Sequence, residues 1–103
     1  MNNLNQKEWV TLKIDSEDSV LLDVRTVEEF ESGHIEGAQL MDIQHPNEFM
    51  TAAQALDKSK SYFIYCRSGA RSGQACQLLN QMGIKATYNL DGGILSWNGD
   101  VIT

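Results

Sequence analysis

The chain has 103 residues, of which 42% are hydrophobic and 21% are charged. This composition predicts one globular domain, residues 1–103, and excludes a disordered or low-complexity chain. The net charge of −6 argues against nonspecific nucleic-acid binding, which needs Lys and Arg to neutralise phosphates. The sequence shows neither an apolar run long enough to span a membrane nor the pattern of a signal peptide, so we expect a cytoplasmic protein without a membrane partner.

The spacing of apolar residues and the helix-capping residues predict helices that alternate with strands along the chain. In chain order it predicts a helix over 6–13, a strand over 20–24, a short helix from 26 that stops at 33, a strand over 38–41, a helix from 46, a strand over 62–65, a helix after 71 that stops at 83, a strand over 86–89 and a short helix over 94–97. Such alternation is typical of a parallel sheet covered by helices on both faces. Ligands of these sheets bind beyond the carboxyl ends of the strands.

Three local signals carry most of this interpretation. Asn5–Glu8 and Thr26–Glu29 both have the capping-box pattern, which marks the start of a helix. Tyr62–Tyr65 is rich in aromatic and β-branched residues, as a central strand is. The segment that follows this strand is therefore expected at the functional edge of the sheet.

The charges are distributed unevenly along the chain. Residues 59–90 contain Lys60, Arg67, Arg71 and Lys85 but no Asp or Glu, although the whole chain is acidic. Such a stretch indicates a local site for an anion. The alternative is that these basic residues lie by chance on ordinary solvent-exposed surfaces of the protein. The residues at its centre favour the anion site.

Cys66 directly follows the predicted strand Tyr62–Tyr65 and begins the sequence Cys66–Gly73, which leads into a helix. A glycine-containing turn between a strand and a helix directs several backbone N–H groups inwards, and the helix N-terminus adds partial positive charge. These groups stabilise a thiolate, so the pKa of a thiol at this position is expected to be lowered. The alternative is a buried and inert cysteine.

The second cysteine, Cys76, lies one position away from the apolar stripe of its helix and is expected to pack beside the core; a resolving thiol is the alternative. The two cysteines form no Cys-x-x-Cys pair, so free thiols are expected. The cysteines and histidines have no zinc-ligand spacing, and no nucleotide-binding glycine motif occurs. We therefore expect neither a metal nor a cofactor.

Three separate stretches of the chain carry a specific resemblance. They are Leu22–Arg25 followed by Glu29-Phe30 and Gly33–Ile35, then Cys66–Ser72, and finally Leu90–Ile94 with Trp97. In this order and at this spacing they resemble the rhodanese family of thiosulfate sulfurtransferases over nearly the whole chain.

The resemblance implies a three-layer α/β/α fold with a central, mostly parallel sheet of about five strands. It also implies a double-displacement reaction in which the Cys66 thiolate takes the sulfane sulfur of thiosulfate, or of a similar persulfide donor. The resulting Cys66 persulfide would pass this sulfur to cyanide, a small thiol or a protein thiol. The partners implied are thus a small anionic donor and a thiophilic acceptor.

The resemblance further implies roles for the residues around Cys66. The expected anion-binding loop comprises Arg67, Ser68, Gly69, Ala70, Arg71 and Ser72. Its backbone N–H groups would stabilise developing negative charge, while Arg67 and Arg71 would attract and orient a dianion. Asp23 and Arg25 are expected to support the site from the same sheet edge, as a structural ion pair rather than as catalytic groups.

Two alternatives to a sulfurtransferase remain open on sequence. A Cys-dependent phosphatase or arsenate reductase can use the same fold, although such phosphatases have five residues between Cys and Arg. Here four residues separate Cys66 from Arg71, so the loop is shorter and encloses a smaller volume. A noncatalytic module that senses persulfides or binds a partner is the second alternative.

Overall fold

Five parallel strands form one sheet in a computed structural model that describes residues 2–103. In chain order the elements are β1 (Asn2–Leu4), α1 (Gln6–Asp15), β2 (Ser19–Asp23), α2 (Val27–Ser32), β3 (Gln39–Leu40), α3 (Pro46–Gln54), β4 (Ser61–Tyr65), α4 (Ala70–Gln81), β5 (Thr87–Leu90) and a 3-10 helix (Ile94–Ser96). The strands lie side by side in the order β1-β5-β4-β2-β3. The predicted α/β architecture with about five strands is therefore confirmed.

Most predicted bounds differ from the observed ones by a residue or two, and two differences matter. The helix α4 begins at Ala70 rather than after Arg71, because Gly69 takes a left-handed conformation, with φ of +107°, that ends the loop early. The edge strand β1 was not predicted, since two of its three residues are asparagines, which are depleted in strands. Both capping boxes are present as predicted, at Asn5 and at Thr26.

The central strand β4 separates two hydrophobic clusters because successive side chains of a strand point to opposite faces. Tyr62 and Ile64 belong to one cluster, which also contains buried residues of α3 and α4. Phe63 and Tyr65 belong to the other, together with Trp9 of α1. Helices therefore cover both faces, which is the three-layer arrangement that the sequence predicts.

The register of the strands determines which residues meet at the carboxyl edge of the sheet. β2 and β4 are direct neighbours, and Asp23 at the end of β2 pairs in register with Tyr65 at the end of β4. The segments that follow the two strands, Val24-Arg25 and Cys66, therefore leave the sheet side by side. The candidate site is assembled at this edge.

Candidate active site

The Cys66 thiol lies at the base of a short turn between β4 and α4. Its side chain is 1% exposed, and its Sγ accepts hydrogen bonds from the Gly69 N–H (3.1 Å) and from the Ser72 hydroxyl (3.2 Å). Ser72 is itself fully buried in the first turn of α4. The sulfur is thus surrounded by donors at the N-terminus of a helix, which is an arrangement that favours negative charge.

Two opposing effects act on the pKa of the Cys66 thiol. Burial by itself raises this pKa, because a thiolate is poorly solvated in the interior. Hydrogen bonds act in the other direction, from the Ser72 hydroxyl first and then from the backbone N–H groups of Ser72, Gly69 and Ser68. The hydrogen bonds prevail, and the pKa of Cys66 lies below the ordinary value for cysteine.

The segment after β5 holds the turn in this conformation. The Ile94 N–H donates to the Cys66 carbonyl (3.0 Å), and the Leu95 N–H donates to the Arg67 carbonyl (3.1 Å). In a trans peptide the C=O and the following N–H point in opposite directions. Because these two carbonyls are held towards the 94–95 segment, the N–H groups of Arg67 and Ser68 are directed to the other side of the turn.

Gly93 makes this close approach of the two segments possible. A Cβ at this position would lie 2.5 Å from the Arg67 carbonyl carbon and 2.7 Å from the Cys66 carbonyl oxygen, which is closer than real contacts allow. Its φ of +61° also lies in the left-handed region that favours glycine. The structure thus places this glycine directly against the turn that carries Cys66.

Asn89 of β5 holds the other end of the turn and was missed by the sequence analysis. Its Nδ2 donates to the Gly69 carbonyl (3.0 Å) and to Oδ1 of Asn3 in β1 (2.9 Å). Asn89 is buried, and a buried polar side chain in a central strand generally has a specific hydrogen-bonding role. An asparagine within a predicted strand, where this residue type is depleted, was the signal that could have identified it.

The two arginines of the loop lie in different environments. Arg67 is exposed and forms no salt bridge with any described residue. Arg71 forms a bidentate ion pair with Glu29 of α2, with Nη1–Oε1 and Nη2–Oε2 distances of 2.7 and 2.9 Å. The sequence predicts that both arginines face an anion, and it gives no sign of the pairing between Arg71 and Glu29.

Asp23 and Arg25 form a buried ion pair beside the turn. Oδ2 of Asp23 accepts from Nη2 of Arg25 and from the Tyr65 hydroxyl, each at 2.7 Å. Arg25 Nη2 also donates to the Gly33 carbonyl (2.7 Å), and the Tyr65 hydroxyl accepts from the Ile35 N–H (3.0 Å). The network therefore ties the ends of β2 and β4 to the segment between α2 and β3.

A cleft of about 370 Å³ opens beside these groups. Arg25, Glu29 and Arg67 line its polar side, and Ile94, Leu95 and Val101 line its apolar side. A second cleft, of about 300 Å³, lies near α3 and contains no residue of the loop at 66–72. Of these two clefts, the first is the one lined by a residue of the loop that follows Cys66, Arg67.

Cys76 differs from Cys66 in its surroundings. It is fully buried in the cluster under α4, where burial raises the pKa of its thiol to about 11, although a contact with Thr87 lowers it slightly. At neutral pH this thiol is protonated and cannot act as a nucleophile. Its position beside the core agrees with the packing predicted from sequence.

We therefore expect Cys76→Ser to leave the sulfur transfer that the resemblance implies within about twofold of the unsubstituted protein, while a buried hydroxyl lowers the stability of the variant by roughly 1–3 kcal/mol. Turnover assays combined with thermal unfolding would separate the two effects. A large fall in turnover of the folded variant would show instead that Cys76 acts as a resolving thiol.

Metal-binding clusters and membrane-spanning helices are both absent from residues 2–103. Both cysteines are free thiols. No three His, Cys, Asp or Glu side chains in this range group closely enough to share a metal ion. Nor does any helix in this range combine the length and apolar character needed to cross a lipid bilayer.

Comparison with known proteins gives one family for nearly the whole chain. The model of the rhodanese-like domain matches residues 6–100. A sulfurtransferase from Allochromatium vinosum is 37% identical over 98 residues, covering 94% of this chain and 88% of that protein. A putative sulfurtransferase from Bacillus subtilis, YtwF, is 38% identical over 89 residues, covering 85% and 82%.

Longer relatives and solved structures agree with this assignment. A tRNA uridine(34) hydroxylase from Chlamydia felis is 35% identical over 100 residues, but this chain spans only 30% of that protein. The crystal structure of a rhodanese-like domain protein from Staphylococcus aureus matches 97% of this chain and 93% of that chain, with a TM-score of 0.79 and 29% identity. The chain therefore belongs to the rhodanese family, and its relatives named as sulfurtransferases support sulfur transfer as its general chemistry.

Proposed function

We propose that the protein transfers a sulfane sulfur from thiosulfate, or from a similar persulfide donor, to a thiophilic acceptor through a persulfide of Cys66. The observation that carries this proposal is the environment of Cys66 Sγ, which accepts hydrogen bonds from Gly69 and Ser72 at the start of α4. A thiolate held in this way is a ready nucleophile, and the reaction then needs no general base.

In the first half-reaction the Cys66 thiolate attacks the outer sulfur of the donor. A bond forms between this sulfur and Sγ, the S–S bond of the donor breaks, and sulfite leaves thiosulfate with the electron pair. The anionic persulfide that remains is stabilised by the same N–H and hydroxyl donors that stabilise the thiolate. Arg67, exposed at the cleft, is placed to attract an anionic donor.

In the second half-reaction a thiolate or cyanide attacks the outer sulfur of the persulfide. The bond from this sulfur to Sγ breaks, and Cys66 leaves as a thiolate. The lowering of the Cys66 pKa makes its thiolate a better leaving group, and it raises the fraction of Cys66 present as the nucleophilic thiolate. Asp23 and Arg25 contribute by fixing the ends of β2 and β4 on which the turn is built.

Intact-mass measurement tests this proposal. Incubation with thiosulfate is expected to add one sulfur atom to the protein at Cys66, and cyanide is expected to remove it. Alkylation of Cys66 should reach half its maximal rate at a pH below that of free cysteine, and Ser72→Ala should move this midpoint upwards, because the variant loses one hydrogen bond to the thiolate. An unchanged mass with every sulfane donor, or a midpoint no lower than that of free cysteine, would contradict the proposal.

A further inference from the structure

Gly69 is the residue of the turn whose backbone most needs an external hold. Its N–H donates to Cys66 Sγ (3.1 Å), although a glycine has no side chain to restrict its conformation. Its carbonyl accepts from the Gly73 N–H in the first turn of α4 (3.0 Å) and from Nδ2 of Asn89 (3.0 Å). The side chain of Asn89 therefore acts on the same residue that donates to the sulfur.

The amide of Asn89 can meet Gly69 in only one orientation. A carbonyl oxygen only accepts hydrogen bonds, so Nδ2 rather than Oδ1 must face Gly69. Nδ2 also donates to Oδ1 of Asn3 (2.9 Å), the residue that pairs with Asn89 in the register of β1 and β5. Turning the amide over would bring two oxygens together at Gly69. Asn3 thus favours the orientation that the turn requires.

The stability of the fold does not explain why an amide occupies this position. Asn89 is 4% exposed, and its Oδ1 accepts no hydrogen bond from any described residue, which is unfavourable for a buried acceptor. The groups that Asn89 binds do not depend on it, because the Gly69 carbonyl keeps its bond from Gly73 and Asn3 is exposed to solvent. An apolar side chain of the same shape would satisfy the fold equally well.

We propose that Asn89 is a positioning residue: it keeps the Gly69 N–H directed at Cys66 Sγ, and Asn3 of the edge strand β1 holds the amide of Asn89 in the orientation for this role. The inference rests on the proposed function, in which Cys66 attacks as a thiolate and later leaves as a thiolate. Asn89 acts through Gly69 and not on the donor itself.

Asn89→Leu tests the role of the amide, because leucine keeps the branched outline of asparagine without its donor. The midpoint of denaturant unfolding should stay the same or rise, since a buried acceptor without a protein partner is removed. Alkylation of Cys66 at pH 7 should slow several-fold, its pH midpoint should move upwards, and kcat/KM with thiosulfate should fall about tenfold. The deficit in kcat/KM should shrink at higher pH, where the thiol of the variant ionises as well. A folded variant with an unchanged midpoint and kcat/KM would overturn the inference, and so would a variant that fails to fold, because the amide would then serve the fold.

The charged and titratable groups beside the turn are the same in this variant. They are Arg67, Arg71 and Cys76 on the chain that follows Cys66, the Asp23–Arg25 pair at the end of β2, and Glu29 of α2. A change in the alkylation midpoint therefore reports on the hydrogen bonds to the sulfur.

Asn3→Ala tests the contribution of β1, with Asn2→Ala as its matched control. Both asparagines are exposed residues of one strand, but successive side chains of a strand point to opposite faces, and Asn3 is the one that contacts Asn89. Asn3→Ala should raise the pH midpoint of Cys66 alkylation by less than Asn89→Leu does, and Asn2→Ala should leave it unchanged. Equal midpoints for the two alanine variants would overturn the role assigned to Asn3.

Failure of the proposed function would give a different result. Wild-type protein that takes no sulfur from any sulfane donor would overturn the proposed function, while its alkylation midpoint would still respond to Asn89→Leu if Asn89 positions the Gly69 N–H. Uptake of sulfur by the wild-type protein and by Asn89→Leu at the same rate, with the same alkylation midpoint, would overturn the inference alone.

Discussion

Replacement of Cys66 by serine is expected to abolish sulfur transfer and the gain of mass together. Serine keeps the shape of the turn and can accept the hydrogen bonds from Gly69 and Ser72, so the fold should persist. Its hydroxyl, however, does not ionise near neutral pH and cannot carry a sulfane sulfur. Turnover should fall by a factor on the order of 10⁴ or more, as when other enzymes lose their nucleophile.

Cys76→Ser is the matched control, because it removes the other thiol of the same chain. A Cys66→Ser variant that retained transfer would show that another group carries the sulfur. Hydrolysis of p-nitrophenyl phosphate, without transfer from any sulfane donor, would favour the phosphatase alternative instead. Neither activity in a folded wild-type protein would favour a noncatalytic module.

Gly93→Ala is expected to have the second largest effect, although Gly93 carries no functional group. The new Cβ would collide with the backbone at Cys66 and Arg67, and alanine would also have to adopt the left-handed backbone of this glycine. We expect the free energy of unfolding to fall by about 2–4 kcal/mol. The rate of sulfur transfer should fall at least a hundredfold, because the turn must move. Denaturant unfolding, turnover and the pKa of Cys66 from alkylation rates would measure these effects.

Gly37→Ala provides a control for the conformational part of this effect. Gly37 also has a positive φ, +88°, but no described atom lies within 4 Å of the position that its Cβ would take. Its substitution by alanine should therefore lower the free energy of unfolding by only about 1 kcal/mol and leave the pKa of Cys66 unchanged. Equal effects of the two substitutions on turnover would refute the specific contact that we assign to Gly93.

Local signals in the sequence were sufficient for much of the fold. The capping boxes at Asn5 and Thr26 involve residues three positions apart, so the pattern alone predicts where α1 and α2 begin. The position of Cys66 between an apolar strand and a helix likewise predicted a thiol at the helix N-terminus. These features depend on neighbours in the chain, which a single sequence displays directly.

The features that escaped prediction depend on residues far apart in the chain. Glu29 and Arg71 are 42 positions apart, and Asn89 and Asn3 are 86 positions apart. Nothing in one sequence shows which carboxylate a given arginine will meet after the strands have paired. The edge strand β1 was missed for the same reason, since it is stabilised by pairing with β5 rather than by its own residues.

Under the proposed function, the burial of Cys66 would decide which sulfur of its persulfide an acceptor attacks. An S–S bond is about 2 Å long, so the second sulfur of a persulfide projects beyond the first, which is itself almost fully enclosed. An incoming nucleophile therefore meets the terminal sulfur before it can reach Sγ. In the proposed reaction, attack at Sγ would expel hydrosulfide and leave a mixed disulfide with the acceptor. The enclosure of Sγ would therefore favour attack at the terminal sulfur, which is the attack that transfers it.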